Sequence, residues 1–292
     1  MVASVIAWIA LAGGNRQGGG DSGEYDLGSG EMFDTIAPRY DLINKVISLG
    51  LDMKWRQTMI DGLQLRAGDR VMDMATGTAD VAIMLSKELA KLDVTTVPHT
   101  VIGIDPSAKM LDVGRQKVEK AGLSSAIQLR LGDAQDLTDI ADGSVDKLTV
   151  AFGIRNVPDR LKALREFRRI MAVEESSVDG VVPAAGEAGG GAVAGGSGAR
   201  VGSIVAILEL QNPETGFMSY ASRAFIKYAA PMLGWMMSGS GPEYGHLTNS
   251  IMAFPTVEEW KQLMGEAGLG VFSHQTMGFG TVHLYLASPI DV

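Results

Sequence analysis

Four polar clusters hold the residue types that could do chemistry. Asp73 is followed by Gly77 and Thr78; Asp105 comes next, then Asp133 with Ala134, then Gly153, Arg155 and Asn156. Each cluster follows a short apolar run, which places it where a buried strand ends. Gly77 lets the backbone turn sharply. Such a turn aims N–H groups and the positive end of the next helix at whatever lies above it. Asp105 stands about one strand–helix unit later, where the diol of a ribose would sit. The arrangement points to an adenosine-containing ligand.

A nicotinamide dinucleotide would want three spaced glycines under its pyrophosphate. This turn has one, Gly77, and Asp73 stands just before it. A carboxylate there repels phosphate. It suits a cationic ligand, such as the amino group and sulfonium of S-adenosylmethionine. Plainer roles compete for each residue. Asp105 precedes Pro106 and could be an N-cap. Asp133 could be a turn aspartate, and Gly77-Thr78 an ordinary turn. Four such ends in order carry more weight than any one.

The elements that must position these residues alternate. Residues 70–74, 100–105, 126–131, 145–152 and 203–210 read as strands. Between them lie helical spacings, such as apolar residues at 81, 82, 84, 85 and 89, and later Leu161, Leu164, Phe167 and Ile170. Strand–helix alternation predicts an α/β fold, a mostly parallel doubly wound sheet with right-handed crossovers. Thr256 and Glu259 form a capping-box pattern opening a helix. Residues 271–276 and 281–286 read as a closing hairpin. Residues 31–62 read as two helices, the first stopping at Gly50 and the second running from Asp52 to Ile60, that cover the open end of the sheet.

The chain has 292 residues, 46% of them hydrophobic, enough for one good core with a cap. It has no cysteine, and His99, His246, His274 and His283 lack ligand-like spacing, so no metal is expected. A net charge of −9 argues against nucleic acid as the main partner. No run of about 20 apolar residues is present. The short apolar stretch 2–12 reads as a truncated start, and 13–30 as a flexible leader. The Gly/Ala-rich stretch 174–202 reads as a disordered surface insertion. A single catalytic domain is therefore expected over 31–292.

Three longer patterns carry a resemblance. Residues 40–55 run from Tyr40-Asp41 through Asn44, Ser48 and Gly50 to Trp55; Ala151-Phe152-Gly153-Ile154-Arg155-Asn156-Val157 follows the fourth strand; Asn249 to Phe254-Pro255 comes later. The chain resembles the menaquinone/ubiquinone biosynthesis C-methyltransferases from about Met32 to about Tyr285, apart from the insertion. The resemblance implies a Rossmann-like class I methyltransferase using S-adenosyl-L-methionine on a ring carbon of a prenylated quinol. It implies Thr78 as a cofactor contact, Asp105 on the ribose, and Asp133 and Ala134 near the adenine. Asp73 and Gly77 complete the expected cofactor set. Ala151 stands where the family often has serine, and Ala79 where glycine is usual. Ala79 is tolerated if its φ is negative and otherwise costs about 1 kcal/mol or more.

Transfer to carbon requires a phenolate and alignment of carbon, methyl and sulfur. Arg155 is expected to stabilise the phenolate, directly or through water, and Asn156 to orient the ring. Asp41 and Tyr40, on the covering helix, are the expected proton acceptors or relays. The plainer reading of Arg155 is an ion pair with Asp159. Arg160, Lys162, Arg165, Arg168 and Arg169 read as a solvated face paired with Asp159 and Glu166, and alternatively as a peripheral membrane contact. Residues 217–237, rich in Met and aromatics, read as a mobile lid over the prenyl tail. Demethylmenaquinol or demethylphylloquinol is favoured by the ending Gly280 to Tyr285. Polyprenyl benzoquinol in the ubiquinone pathway, or a non-catalytic subunit of a quinone-synthesis complex, are the alternatives. Homodimerisation stays open, as does cytoplasmic against organellar residence; the low-complexity insertion points to a chloroplast more than a mitochondrion.

Overall fold

The computed structural model describes residues 33–34, 37, 40–48, 50–92, 100–172, 202–212 and 249–290. The expected leader, almost all of the insertion and the lid segment 217–237 lie outside the described residues.

Among the described residues, seven strands form one sheet: β1 Val71–Met74, β2 Val101–Asp105, β3 Ile127–Leu131, β4 Lys147–Ala151, β5 Ile204–Leu210, β6 Leu269–Met277 and β7 Val282–Pro289. Their order is β3-β2-β1-β4-β5-β7-β6. The first five are parallel, and β7 and β6 pair antiparallel at one edge. A one-turn helix at Gly278–Gly280 joins β6 to β7, so the expected hairpin is present. The order reverses direction between β1 and β4, the point at which open α/β sheets leave a crevice beyond their strand ends.

The described helices are α1 Tyr40–Ile47, α2 Asp52–Gly62, α3 Asp80–Leu92, α4 Ala108–Lys120, α5 Arg160–Ile170 and α6 Val257–Glu266. The period-2 alternation of the strands sorts side chains onto two cores. On β5, Val205 and Ile207 join Leu164 and Phe167 of α5 and Trp260 and Met264 of α6. Ile204, Ala206 and Leu208 join Met59 and Ile60 of α2, Leu63 just after it, and Leu85 of α3. Covering both faces accounts for the near-continuous apolar character of the central strands.

The sequence reading placed both N-terminal helices over the open end of the sheet. Only α1 is there. Helix α2 packs on a face of the sheet, because its buried Met59 and Ile60, and Leu63 just after it, belong with Leu208, Leu284 and Leu286. The N-cap reading of Asp105 also needs correction. Ser107 caps α4, its hydroxyl accepting from the Met110 N–H at 3.1 Å. The Thr256–Glu259 capping box forms as expected.

Ala79, at the head of α3, has φ +66° and is fully buried. The condition for a strain cost is therefore met. Left-handed backbone costs an alanine about 1–2 kcal/mol. Replacing it by glycine loses about 0.8 kcal/mol of methyl burial and about 0.4–1 kcal/mol through the freer unfolded chain. The two sides nearly cancel. Ala79→Gly is therefore expected to move chemical-denaturation stability by less than about 1 kcal/mol, whereas β-branched Ala79→Val, strained and overpacked, should lose about 2 kcal/mol or more.

Candidate active site

A cleft lies over the ends of β1, β2, β3 and β4 and encloses roughly 690 Å³ of non-atom space, part of it open to solvent. Its polar wall includes Gly77, Asp105, Asp133 and Asn156; its apolar wall includes Phe33, Met74, Met110, Phe152 and Val157. Tyr40 of α1 lines it from above. Three of the six residues expected at the cofactor, Gly77, Asp105 and Asp133, therefore bring polar groups to one cleft, and Ala134 joins them.

Asp105 organises this wall. Its Oδ2 accepts from the Gly77 N–H at 2.8 Å, and its Oδ1 from the Ser107 N–H at 2.9 Å. An ionised carboxylate has about four acceptor positions, so one lone pair per oxygen remains for a ligand. A vicinal diol donates two such bonds. The Asp105 side chain is therefore chemically suited to a ribose. Burial pushes its carboxyl up to about 6, against the two N–H bonds that favour the charged form. Asp34, which accepts from the Ser107 hydroxyl at 2.6 Å, adds to the upward push. Asp133 accepts from the Gln135 backbone N–H at 2.9 Å and from its side-chain amide, and stands beside Ala134 in the wall.

The turn after β4 is built under strain. Phe152 has φ +59°, as Ala75 opposite has φ +52°. A Cβ on Gly153 would lie 2.3 Å from the Ala75 Cβ, so no side chain fits there. The one-turn helix Ile154–Asn156 follows and presents Asn156 to the cleft.

Arg155 does not line the cleft, which speaks against direct contact with a phenolate. It is buried, and its Nη1 donates to Glu209 Oε1 at 2.5 Å and to the Phe152 carbonyl at 2.6 Å. Its backbone N–H donates to Glu209 Oε2 at 3.1 Å. The plainer alternative is corrected too: Asp159 caps α5, accepting from the Lys162 N–H at 2.9 Å, and the ion-pair partner is Glu209 of β5. Arg155 thus fixes the turn that carries Asn156. Its basic neighbours are largely tied down: Arg169 bonds Glu166 and Asp142, Arg160 the Arg155 carbonyl, and Arg168 the Ile290 carbonyl.

A second, smaller space adjoins the cleft, with roughly 310 Å³ of non-atom space, part of it open to solvent. Asp73, Thr76, Thr78, Arg56 and Asp80 line it, and Tyr40, Ala75, Gly77 and Ala151 wall both spaces. Asp73 is buried and accepts from the Thr76 hydroxyl at 2.6 Å and the Thr149 hydroxyl at 2.7 Å. Burial pushes its carboxyl up to about 6. The Thr78 hydroxyl donates to Asp41 Oδ1 at 2.6 Å.

Asp41, the other expected proton acceptor, lines neither space. Its Oδ2 accepts from Lys117 Nζ at 2.7 Å, and Lys117 also bonds Asp80. This network, which sequence reasoning missed, ties α1 to α3 and α4. No pattern in the sequence flagged Lys117, which looks like any surface lysine of an amphipathic helix. Glu209 was missed because it sits in a run that reads as a plain apolar strand.

A profile of the ubiE/COQ5 methyltransferase family matches residues 23–177 and 198–288. The chain is 34% identical over 258 residues to a demethylmenaquinone methyltransferase of Bacteroides fragilis, covering 88% of this chain and 91% of that protein. It is 32% identical over 256 residues to the ubiquinone/menaquinone biosynthesis C-methyltransferase UbiE of Geotalea uraniireducens, covering 88% and 94%. A demethylmenaquinone methyltransferase of Thermus thermophilus is 32% identical over 254 residues, covering 87% and 98%. The fold is similar to that of a SAM-dependent methyltransferase from Aquifex aeolicus, with a TM-score of 0.54 at 16% identity, covering 87% and 97% of the two chains. A putative S-adenosyl-L-methionine-dependent methyltransferase from Methanococcus maripaludis gives 0.54 at 16%, covering 96% and 99%.

The two buried acids set a pH dependence. Their folded carboxyls titrate near 6, above the unfolded value of 3.8. Their contribution to stability is therefore full below about pH 3.8 and is lost as pH rises through 6. Accepting two hydroxyls requires the ionised form of Asp105, so ligand binding runs the other way. S-adenosylhomocysteine affinity, measured by calorimetry, should fall about tenfold per pH unit below 6. Asp105→Asn should bind at least about tenfold more weakly at pH 7.5 and flatten that slope.

Proposed function

The chain belongs to the ubiE/COQ5 methyltransferase family, and from that membership we propose that it methylates a ring carbon of a prenylated demethylnaphthoquinol. The cofactor is S-adenosylmethionine. The observation that carries the choice of ring is the naming of the Bacteroides and Thermus relatives as demethylmenaquinone methyltransferases. The apolar cleft wall of Phe33, Met74, Phe152 and Val157 supports it, because a flat bicyclic ring has large apolar faces to bury.

When bound, the cofactor supplies an electrophilic methyl group on a sulfonium. The residues of this chain do the rest. Asp105 would hold the ribose diol, with Asp133 and Ala134 beside the adenine. Gly77 keeps the turn free of a side chain between the two spaces. Tyr40 and Asn156 line the same cleft. They are the groups placed to hold the quinol oxygen as it loses its proton, Tyr40 passing that proton towards solvent at the mouth. Arg155 acts at one remove, by fixing the turn beneath Asn156. Apolar neighbours exclude water from the carbon that attacks, which favours transfer to carbon over hydrolysis.

The test is a methyl-transfer assay with detergent-solubilised demethylnaphthoquinol and polyprenyl benzoquinol side by side, read by mass spectrometry. Methylated naphthoquinol should dominate; preferential methylation of the benzoquinol overturns the choice of ring. In the same assay Tyr40→Phe should lower kcat by about 10²-fold. Its affinity for S-adenosylhomocysteine should stay within about threefold of wild type.

A further inference from the structure

The last of the three sequence patterns, 249–255, has no residue in the cleft wall. Its Phe254 is 6% exposed and packs on the Trp260 ring of α6 at 4.8 Å. The next residue is fastened to the sheet. Gln211, just after β5, donates through Nε2 to the Pro255 carbonyl at 3.1 Å and accepts from the Tyr285 hydroxyl at 2.6 Å. Over the Phe254 ring, 5.1 Å from its centre, stands the guanidinium carbon of Arg160. That distance is within reach of a cation–π contact. The Arg160 Nη2 donates to the Arg155 carbonyl at 2.8 Å.

The backbone ahead of that carbonyl offers it no donor. In the one-turn helix Ile154–Asn156 the Asn156 N–H bonds the Gly153 carbonyl at 3.1 Å, and the Val157 N–H bonds the Ile154 carbonyl at 3.2 Å. The next bond of this ladder would run from residue 158 to the Arg155 carbonyl. Residue 158 is proline and has no N–H. The Asp159 N–H, one position on, is spent on Gln135 Oε1 at 2.9 Å. The carbonyls that end a helix need partners from outside it. Here the partner is a side chain from the first turn of α5, backed by the ring of Phe254.

We propose that Arg160 is a positioning residue for the methyl transfer: it gives the Arg155 carbonyl the donor that Pro158 lacks, and by closing that turn it sets Asn156 in the cleft. The catalytic consequence rests on the methyl-transfer reading; the closing of the turn does not. A guanidinium suits the position because it stacks on a ring and donates within its own plane at the same time, which an ammonium does not. Arg155 and Glu209 thus hold the turn from the sheet, and Arg160 with Phe254 holds it from the helices.

The test combines amide hydrogen exchange with the methyl-transfer assay on Arg160→Met, which keeps the apolar stem and removes every side-chain donor. Exchange in the peptide spanning residues 153–158 should quicken about tenfold while the core strands keep wild-type rates. With demethylnaphthoquinol, kcat should fall about tenfold and affinity for S-adenosylhomocysteine should stay within about threefold of wild type. In an Asn156→Ala background the same substitution should change kcat by less than about twofold, because the group it positions is gone. Arg160→Lys, which keeps a donor, should recover part of the loss in both measurements. If the methionine variant does not fold, Arg160→Gln takes its place with the same expectations. Unchanged exchange at 153–158 overturns the proposal. So does an equal loss of kcat with and without the Asn156 side chain, which would mark a general structural role. A wild type that methylates neither quinol overturns the methyl-transfer reading, and exchange then decides the closing of the turn by itself.

Discussion

The bond between the Asp105 carboxylate and the Gly77 N–H joins the ends of two adjacent strands. It fixes the glycine turn after β1 to the acid after β2, and the second oxygen fixes the first turn of α4 through Ser107. Charge-assisted bonds of this kind contribute about 1.5–3 kcal/mol each, against a desolvation penalty that raises the carboxyl to about 6. The acid is thus held in place before any ligand arrives, with acceptor capacity left over. Binding then needs no rearrangement of the nucleoside wall, and the unfavourable burial of the charge is offset when a diol donates to it.

Strain around the same turn follows the same logic. Three of the four non-glycine residues with positive φ among the described residues, Ala75, Ala79 and Phe152, flank the cleft or the turn beside it. Each conformation costs roughly 1–3 kcal/mol and persists only where neighbours over-determine it. At Phe152 the neighbours are identifiable. Arg155 bonds its carbonyl, the Leu208 carbonyl accepts its N–H at 2.7 Å, and Trp55 packs edge-on to its ring at 6.4 Å. The strained residues follow two adjacent strand ends, those of β1 and β4.

What could be read from the sequence was whatever depends on neighbours along the chain. The apolar runs gave the strands, the strand ends gave Gly77, Asp105 and Asp133, and Thr256 with Glu259 gave a helix start. What could not be read depends on pairs far apart. Arg155 and Glu209 are separated by 54 positions, and nothing local says that one buried acid on β5 faces one arginine after β4. Asp159 was nearer and looked sufficient, but an acid just before a helix is drawn to the free N–H groups there. Helix α2 was misplaced for a related reason. Its apolar residues show that one side is buried, but not whether the sheet face or the strand ends bury it.

The two ion-pair systems differ in burial, and that difference separates their roles. Arg155–Glu209 is buried on both sides, with side chains 7% and 0% exposed. Removing one partner from such a pair leaves an uncompensated charge at about 3–5 kcal/mol, so the turn beneath Asn156 has one accessible arrangement. Lys117 and Asp41 are 27% and 42% exposed, where water and salt compete with the contact. That bond helps to hold α1, and with it Tyr40, over the cleft. The base of the site is therefore fixed by charges that water cannot reach, and its cover by charges that water can. A methyltransferase must admit a large apolar quinol and a polar cofactor to one cleft. The physical arrangement that permits this is a rigid floor with a cover whose fastening is weak.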